Sequence, residues 1–458
     1  MQPQIRYAIP RLAGRLDPMV EAPEGTPEGW APTKALGRAA LLVAVFVIAA
    51  MLFGRIDLVV LAVPFALGTA LALRRRPERT PEVQIAVAES FLGEGGEVNA
   101  TLSARNPDVL AYDLVVLRTY IDPWLRFRYG DRPFVTPAPR DGIADVPLVG
   151  EALRWGRYAL GPAAVQAVAC DGLLVSPPRY TLHQNLKVYP ITEPFRAAEA
   201  MPRAAGMVGG HRSRRPGHGG ELAGVRVFGP GDRLRRIDWR VSLRSEQLHV
   251  AATLSDRDAE VALLLDVLTE AGRSGGLKGS ASVLDTTVRA AAGIAEHYLL
   301  RGDRVSLLEY GFQVRRLRAA SGRRQYLTTL EWLLDVSPSN SGYEPSPIMF
   351  GPHMLPANAL VVVLTPLIDP RSAGLVARLA RAGRFVIAVD TLPRKLSVPV
   401  RGEWAEVGTR LWLMERANTI GQLREHGVPV VAWAGTGSLD EVLRDVTRLA
   451  AAPKLVYR

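Results

Sequence analysis

Two apolar runs dominate the start of the chain. Ala39–Phe53 and Leu58–Leu73 carry no charge, and only Gly54, Arg55, Ile56 and Asp57 separate them. One helix through both would be about 50 Å long against a bilayer core of about 30 Å, so the pattern predicts two spans joined by a tight turn. Each span alone reaches only about 24 Å, and residues from the flanks and the turn complete it. Arg38 before the first span and Arg74-Arg75-Arg76 after the second place both flanks in the cytoplasm by the positive-inside rule. Arg55 and Asp57 then mark the far interface. The expectation is a transmembrane hairpin over 36–76 in the inner or plasma membrane, with the lipid bilayer as a partner and the large C-terminal part cytoplasmic. Residues 1–35, rich in Pro, Gly and charge without an apolar period, are expected to be disordered.

From Glu82 the period changes to two. Val83–Val87, Glu97–Leu102 and Tyr112–Leu117 alternate, with turn residues at Asn106-Pro107-Asp108 and Gly161-Pro162. This predicts an antiparallel, immunoglobulin-like β-sandwich over 82–192. Residues 193–224, with His211 and His218 among many Gly and Arg, are expected to form a linker. Beyond 257 the pattern alternates strand and helix. Strands are expected at Val261–Asp266, Val305–Tyr310, Gln313–Leu317, Ala359–Leu364, Phe385–Val389 and Val428–Trp433. Helices are expected at Val283–Arg301, Arg324–Leu334, Arg371–Arg381, Trp412–His426 and Leu439–Ala451. Such alternation predicts an α/β domain over 257–458, doubly wound around a mostly parallel sheet, so the chain is multidomain.

The segment 225–256 lies between these regions. Pro230-Gly231 suits a type II turn, and Asp232 stands where a helix N-cap would accept a backbone N–H. Arg233, Arg235, Arg236, Arg240 and Arg244 then alternate with Leu234, Ile237, Trp239, Val241 and Leu243 around one carboxylate, Asp238. Two readings stand side by side. Either the segment is a connector with Ile237 and Trp239 buried and Asp238 neutralised by an arginine, or the guanidinium forks dock an acidic partner.

Gly229-Pro230-Gly231-Asp232, Arg236-Ile237-Asp238-Trp239 and Arg244 together resemble the signature of the bacterial domain of unknown function 58 family. Arg154–Pro162 and Asp171-Gly172-Leu173 resemble the β-domain of the same family, without the proline usual after that aspartate. The resemblance implies a membrane hairpin and β-domain joined to a von Willebrand factor A-like domain. It also implies a MoxR-type AAA+ ATPase as partner, and so a membrane-anchored, non-enzymatic adaptor or scaffold.

Composition trims the alternatives. The formal charge of +11 invites nucleic acid, but among 56 basic residues only Lys34, Lys187, Lys278, Lys395 and Lys454 are lysine. That skew fits a GC-rich coding sequence, and without an aromatic-basic module no nucleic-acid partner is expected. The single cysteine, Cys170, allows no intramolecular disulfide and no four-cysteine zinc site.

Chemistry on an open α/β sheet sits at the carboxyl ends of its strands, which singles out the loop after Asp266. Metal-binding von Willebrand A domains carry Asp-x-Ser-x-Ser there. This chain reads Asp266-Val267-Leu268-Thr269-Glu270, and Pro366 follows Thr365 where such domains offer an aspartate. Asp266, Thr269, Glu270 and Asp369 keep oxygens but not the spacing. No cofactor is expected, with Asp266 bonding loop amides or capping a helix; the alternative is Mg2+ held at a remnant of Asp266 and Glu270. Gly272–Ser280 has Lys-Gly-Ser where a phosphate loop needs Gly-Lys-Ser or Gly-Lys-Thr, and reads as a flexible loop. His249 and His297 are expected in the core or at its rim, and no catalytic constellation is expected.

Overall fold

The computed structural model describes residues 29–129, 132–191, 216–229, 237–254, 260–313, 315–339, 342–343, 345, 350, 354–356, 359–393 and 404–433. The expected turn at Pro230-Gly231, the cap at Asp232, Arg233, Arg235, Arg236, His211 and the helix Leu439–Ala451 lie outside them. The chain divides into two compact units, Met1–Tyr189 and Pro190–Arg458.

In the first unit the two apolar runs form helices α1 (Lys34–Phe53) and α2 (Asp57–Arg74). Both are long and apolar enough to cross a membrane. Gly54 ends α1 at φ 61°, a left-handed conformation that glycine adopts without strain, and its N–H caps the Ala50 carbonyl. The helices start earlier than their apolar runs because Lys34 and Asp57 extend them, bringing them to 20 and 18 residues.

The same unit holds strands β1 (Ala31–Pro32), β2 (Glu82–Val87), β3 (Phe91–Gly93), β4 (Glu97–Arg105), β5 (Tyr112–Ile121) and β6 (Leu125–Phe127). The series continues with β7 (Phe134–Ala138), β8 (Ile143–Ala152), β9 (Gly156–Ala169), β10 (Leu174–Val175), β11 (Arg179–Thr181) and β12 (Gln184–Tyr189). One sheet runs β2-β4-β8-β6. The other runs β1-β10-β9-β12-β3, with β5 and β11 also on β9 and β7 on β5. All pairs are antiparallel except β12 with β3. Alternate residues of both sheets, among them Leu102, Leu148, Leu117, Leu160 and Leu186, meet in one core.

The disorder expected over residues 1–35 does not hold for residues 29–35, which are described and ordered. Trp30 is buried against Tyr112, with ring centroids 5.4 Å apart, and its Nε1 donates to the Arg79 carbonyl at 3.2 Å. Burial of one indole supplies the ordering that composition alone did not suggest. Both legs of the hairpin are fastened to the sheets. Before α1, Thr33 donates its N–H to Leu173 O and its hydroxyl to Gly172 O, at 2.9 and 2.7 Å. After α2, the amides of Glu78 and Arg79 donate to one Asp108 carboxylate oxygen at 2.8 and 2.7 Å, and the Tyr112 hydroxyl donates to Arg79 O at 2.9 Å. Asp108 is itself held by the fully buried Asn106, whose amide donates to Leu110 O and Pro139 O.

The second unit opens with β13 (Pro216–Val227), the short helix α3 (Trp239–Ser245) and β14 (His249–Leu254). Part of the expected linker is therefore strand. β13 pairs antiparallel with β14 from Pro216 to Val227, with register shifts between Gly217 and Gly224. A glycine-rich stretch read as loop is stabilised as a ribbon by the backbone ladder its partner supplies.

Six strands follow: β15 (Glu260–Asp266), β16 (Arg304–Tyr310), β17 (Arg316–Ala320), β18 (Leu360–Thr365), β19 (Phe385–Asp390) and β20 (Val430–Ala432). Their order is β17-β16-β15-β18-β19-β20, parallel except for the β16–β17 hairpin. Helices α4 (Val283–Leu300), α5 (Gly322–Leu333), α6 (Pro370–Arg381) and α7 (Ala405–Glu425) connect them. Leu264, Leu308, Val363 and Ala388 face a core that takes Leu375 and Leu379 from α6 and Leu423 from α7. The neighbouring strand residues point to the opposite face. A mostly parallel α/β sheet is thus present. α7 begins two turns before the expected Trp412, because its first apolar residues lie on a different face from those that meet the sheet.

Candidate functional site

Two places in the second unit collect the residues singled out by sequence, and they differ in character. The first is the segment around α3. Asp238, in extended backbone, is its N-cap, with one carboxylate oxygen accepting from the amides of Arg240 and Val241 at 3.1 and 3.2 Å. The cap thus falls at Asp238, a role the sequence reading had not assigned to it. Ser242, buried, fixes the helix to β14: its hydroxyl donates to Asp238 O at 2.7 Å and accepts the His249 amide at 2.8 Å. Ile237 makes a bridge with Val250 and is half-buried. His249 is half-buried, with Nδ1 2.9 Å from the Ser245 hydroxyl.

Trp239 and Leu243, on the same short helix, are 62% and 79% exposed. The connector reading had Trp239 buried, and it is not. Arg240 and Arg244 are exposed beside it, and Leu248 and Val227 add further apolar surface. The sequence reading missed Ser242, whose four-residue offset from Asp238 was the available signal, and named Leu243 only within the apolar alternation.

The second place is the carboxyl edge of β15 and β18. Asp266 is buried at the end of β15, and both its oxygens are used. Oδ1 accepts the Leu268 amide at 3.1 Å, and Oδ2 accepts the Thr365 hydroxyl at 2.6 Å. Burial pushes its carboxyl above the usual range; Ser372, Thr365 and Leu268 oppose that shift, and nearby Asp369 adds to it. Asp369 caps α6 through the Arg371 amide at 2.9 Å and grips the Arg371 side chain with both oxygens, at 2.9 Å to Nε and 2.6 Å to Nη2. This arginine, with help from the Thr269 hydroxyl, holds the Asp369 carboxyl below its usual range despite partial burial. Arg371 also donates to Tyr343 O at 2.8 Å.

The sheet edge thus brings Asp266, Thr269, Thr365, Asp369 and Ser372 together, with the Arg371 guanidinium bonded to Asp369. Glu270 turns elsewhere, accepting the Leu284 amide at the start of α4 at 3.4 Å. These residues do not fit a resident divalent cation. The positive charge is already supplied by Arg371, and the Asp266 oxygens are bonded to protein donors. Among the described residues no group of three or more His, Cys, Asp or Glu is placed to hold a metal. The Gly272–Ser280 loop closes on itself, Gly275 N to Ser280 O at 2.7 Å, and a Cβ at Gly279 would meet the Gly275 carbonyl oxygen at 2.5 Å.

Among the other buried ionisable side chains described in this unit are His297 and Glu309. His297 packs edge-on to Tyr298, and burial with Arg301 nearby lowers its pKa to about 4. Glu309, on β16, lies 3.5 Å from Arg315, whose guanidinium sits 4.6 Å from the centre of the Trp332 ring. Burial raises the Glu309 pKa to about 7, against the opposing pull of Arg315 and with a small push from Asp335. A carboxyl with a raised folded pKa stabilises the fold below the unfolded value of about 4.5 and loses that contribution as pH rises towards 7. Glu309→Gln is therefore expected to flatten the stability profile between those values and to gain about 2 kcal/mol at pH 8. Urea unfolding of both proteins at pH 5 and pH 8 measures this; equal pH slopes would refute it.

Residues 224–412 match the family described as "Protein of unknown function DUF58". Uncharacterized proteins of Mycobacterium bovis and Mycobacterium tuberculosis are 27% identical over 200 residues, covering 43% of this chain. The chain spans 62% of the length of these relatives. Among solved structures, a non-cellulosomal cohesin from the archaeon Archaeoglobus fulgidus is 13% identical, with 23% of this chain and 91% of that one covered. The C-terminal domain of wzt is also 13% identical, with 28% and 89% covered. Both have a TM-score of 0.17, which carries no argument about fold.

Proposed function

We propose that the protein is a membrane-anchored, non-enzymatic adaptor or scaffold, that it works with a MoxR-type AAA+ ATPase, and that α3 is the contact. In this reading α1 and α2 cross the inner or plasma membrane, and Arg38 and Arg74–Arg76 keep both flanks cytoplasmic. The first unit's two sheets are an immunoglobulin-like sandwich, and the second unit's sheet is von Willebrand factor A-like. The observation that carries the proposal is the contrast between the two places described above. The carboxylates at the sheet edge are already bonded within the protein, whereas Trp239, Leu243, Arg240 and Arg244 are presented outward on a helix fixed from behind. Aromatic and arginine side chains on a rigid element are the combination that dominates protein interfaces.

Capture of the purified ATPase by the detergent-solubilised full chain tests this. Trp239→Ala with Leu243→Ala, and separately Arg240→Ala with Arg244→Ala, are each expected to weaken capture about tenfold or more. All four side chains point outward, so circular dichroism should not change. Undiminished capture by both variants would return α3 to the role of a connector.

A second reading, ligand binding through Mg2+, is favoured by one observation: the convergence of Asp266, Thr269, Thr365 and Asp369 at one sheet edge. The Arg371 fork and the diversion of Glu270 weigh against it.

A further inference from the structure

Helix α7 carries two opposed faces. Thr409, Trp412, Arg416, Ile420 and Leu423 recur at helical spacing on the less exposed side, where Leu423 is buried and Ile420 packs on the core. Arg416 fastens this face to the sheet edge, 2.5 Å from the Asp390 carboxylate and 2.9 Å from the Pro366 carbonyl oxygen. Outward lies a second apolar stripe: Trp404 at the N-cap, Val407, Leu411 and Met414, which are 76%, 48%, 62% and 65% exposed. Their spacing of three, four and three residues is that of a and d positions in a heptad. An apolar stripe of this kind next to an already packed face needs an occupant.

The geometry points to a second copy of this chain as the occupant, with the two α7 helices parallel and in register. Charge is the first reason. With Trp404 and Leu411 at a and Val407 and Met414 at d, Arg410 falls at g and Glu415 at the following e. A parallel pair brings those two positions together across the seam, twice by symmetry, as Arg410 to the other copy's Glu415. An antiparallel pair would instead bring the two Arg410 side chains towards each other. Among the described residues Arg410 makes a surface pair with Glu406 at 3.7 Å, both side chains at least 79% exposed, so that pair does little to hold it back from a new partner. The second reason is Asn418, exposed and one heptad after Leu411. A single asparagine at an a position bonds its own counterpart in an in-register parallel pair and sets register and oligomer state at some cost in stability. This inference does not depend on α3 or on the ATPase.

Cysteine cross-linking of the full chain, in detergent and in liposomes and in a Cys170→Ser background, tests it. Leu411→Cys is expected to give disulfide-linked dimers under mild oxidation, because identical a positions meet only in a parallel, in-register pair. Leu413→Cys, exposed on the flank, should give none. Light scattering should show a dimer that Leu411→Glu with Met414→Glu makes monomeric. Arg410→Glu should weaken self-association roughly tenfold, and adding Glu415→Arg should restore it. A monomer in which position 411 is shielded from thiol reagents would mean that residues 434–458 of the same chain cover the stripe, and would overturn the proposal. Position 411 freely labelled in a monomer, shielding only in liposomes, or a dimer indifferent to the glutamates would overturn it equally.

Discussion

Replacing Arg371 by alanine is expected to cost about 3 kcal/mol in the second unit, the range found when one partner of a substantially desolvated ion pair is removed. Asp369 would lose both of its guanidinium bonds, at 2.6 and 2.9 Å, and the repulsion between it and nearby Asp266 would go uncompensated by that charge. Arg371→Lys keeps the charge but not the planar fork and should fall between the two. Unfolding of the full chain, followed by hydrogen exchange in β15 and β18, measures the loss. The same variant should acquire a response to magnesium that the native chain lacks. If the vacated cradle binds Mg2+ with a dissociation constant near 1 mM, 10 mM of the ion would restore about 1.4 kcal/mol. A native chain stabilised by magnesium, with the effect abolished by Asp266→Ala, would favour the second reading instead.

Asp108→Ala carries the next largest expected effect, about 3 kcal/mol in the first unit. Its carboxylate accepts the amides of Glu78, Arg79 and Leu110, and truncation leaves these charge-assisted bonds unmade. Burial alone would raise the Asp108 pKa, but the amides of Arg79, Leu110, Glu78 and Val109 together outweigh it and hold the carboxyl below 3.8. Since the folded pKa is depressed, the stabilisation is complete above about 3.8 and is lost as pH falls through the lower folded value. The amides of 78–80 should lose exchange protection in the variant at pH 7, and in the native protein only in strong acid. Unchanged protection would mean that Trp30 and Tyr112 alone fasten the exit of α2.

Much of the fold was legible because its period is strong. Runs such as Val261–Leu265 and Leu360–Leu364 are continuously apolar, as strands covered on both faces must be, and the hairpin stands out because no charge interrupts either of its two apolar runs. The misses share a cause: tertiary partners overrode local composition. Trp30 is ordered by Tyr112 and Arg79, far away in sequence, and glycine-rich β13 by its ladder to β14. The outward stripe of α7 hid its first two turns because two apolar faces cancel the usual one-sided signal. At the sheet edge, Asp266 and Asp369 were visible from the sequence. The Arg371 fork that grips Asp369 was not, because a search for cation ligands looks for oxygens and passes over an arginine.

The adaptor account is tested most directly by a photo-cross-linking amino acid at position 239 of the full-length, membrane-reconstituted chain, mixed with the MoxR-type ATPase. The prediction is a covalent adduct with the ATPase from position 239 and none from Leu327, an exposed position on α5. No adduct from 239, or equal adducts from both positions, would contradict it.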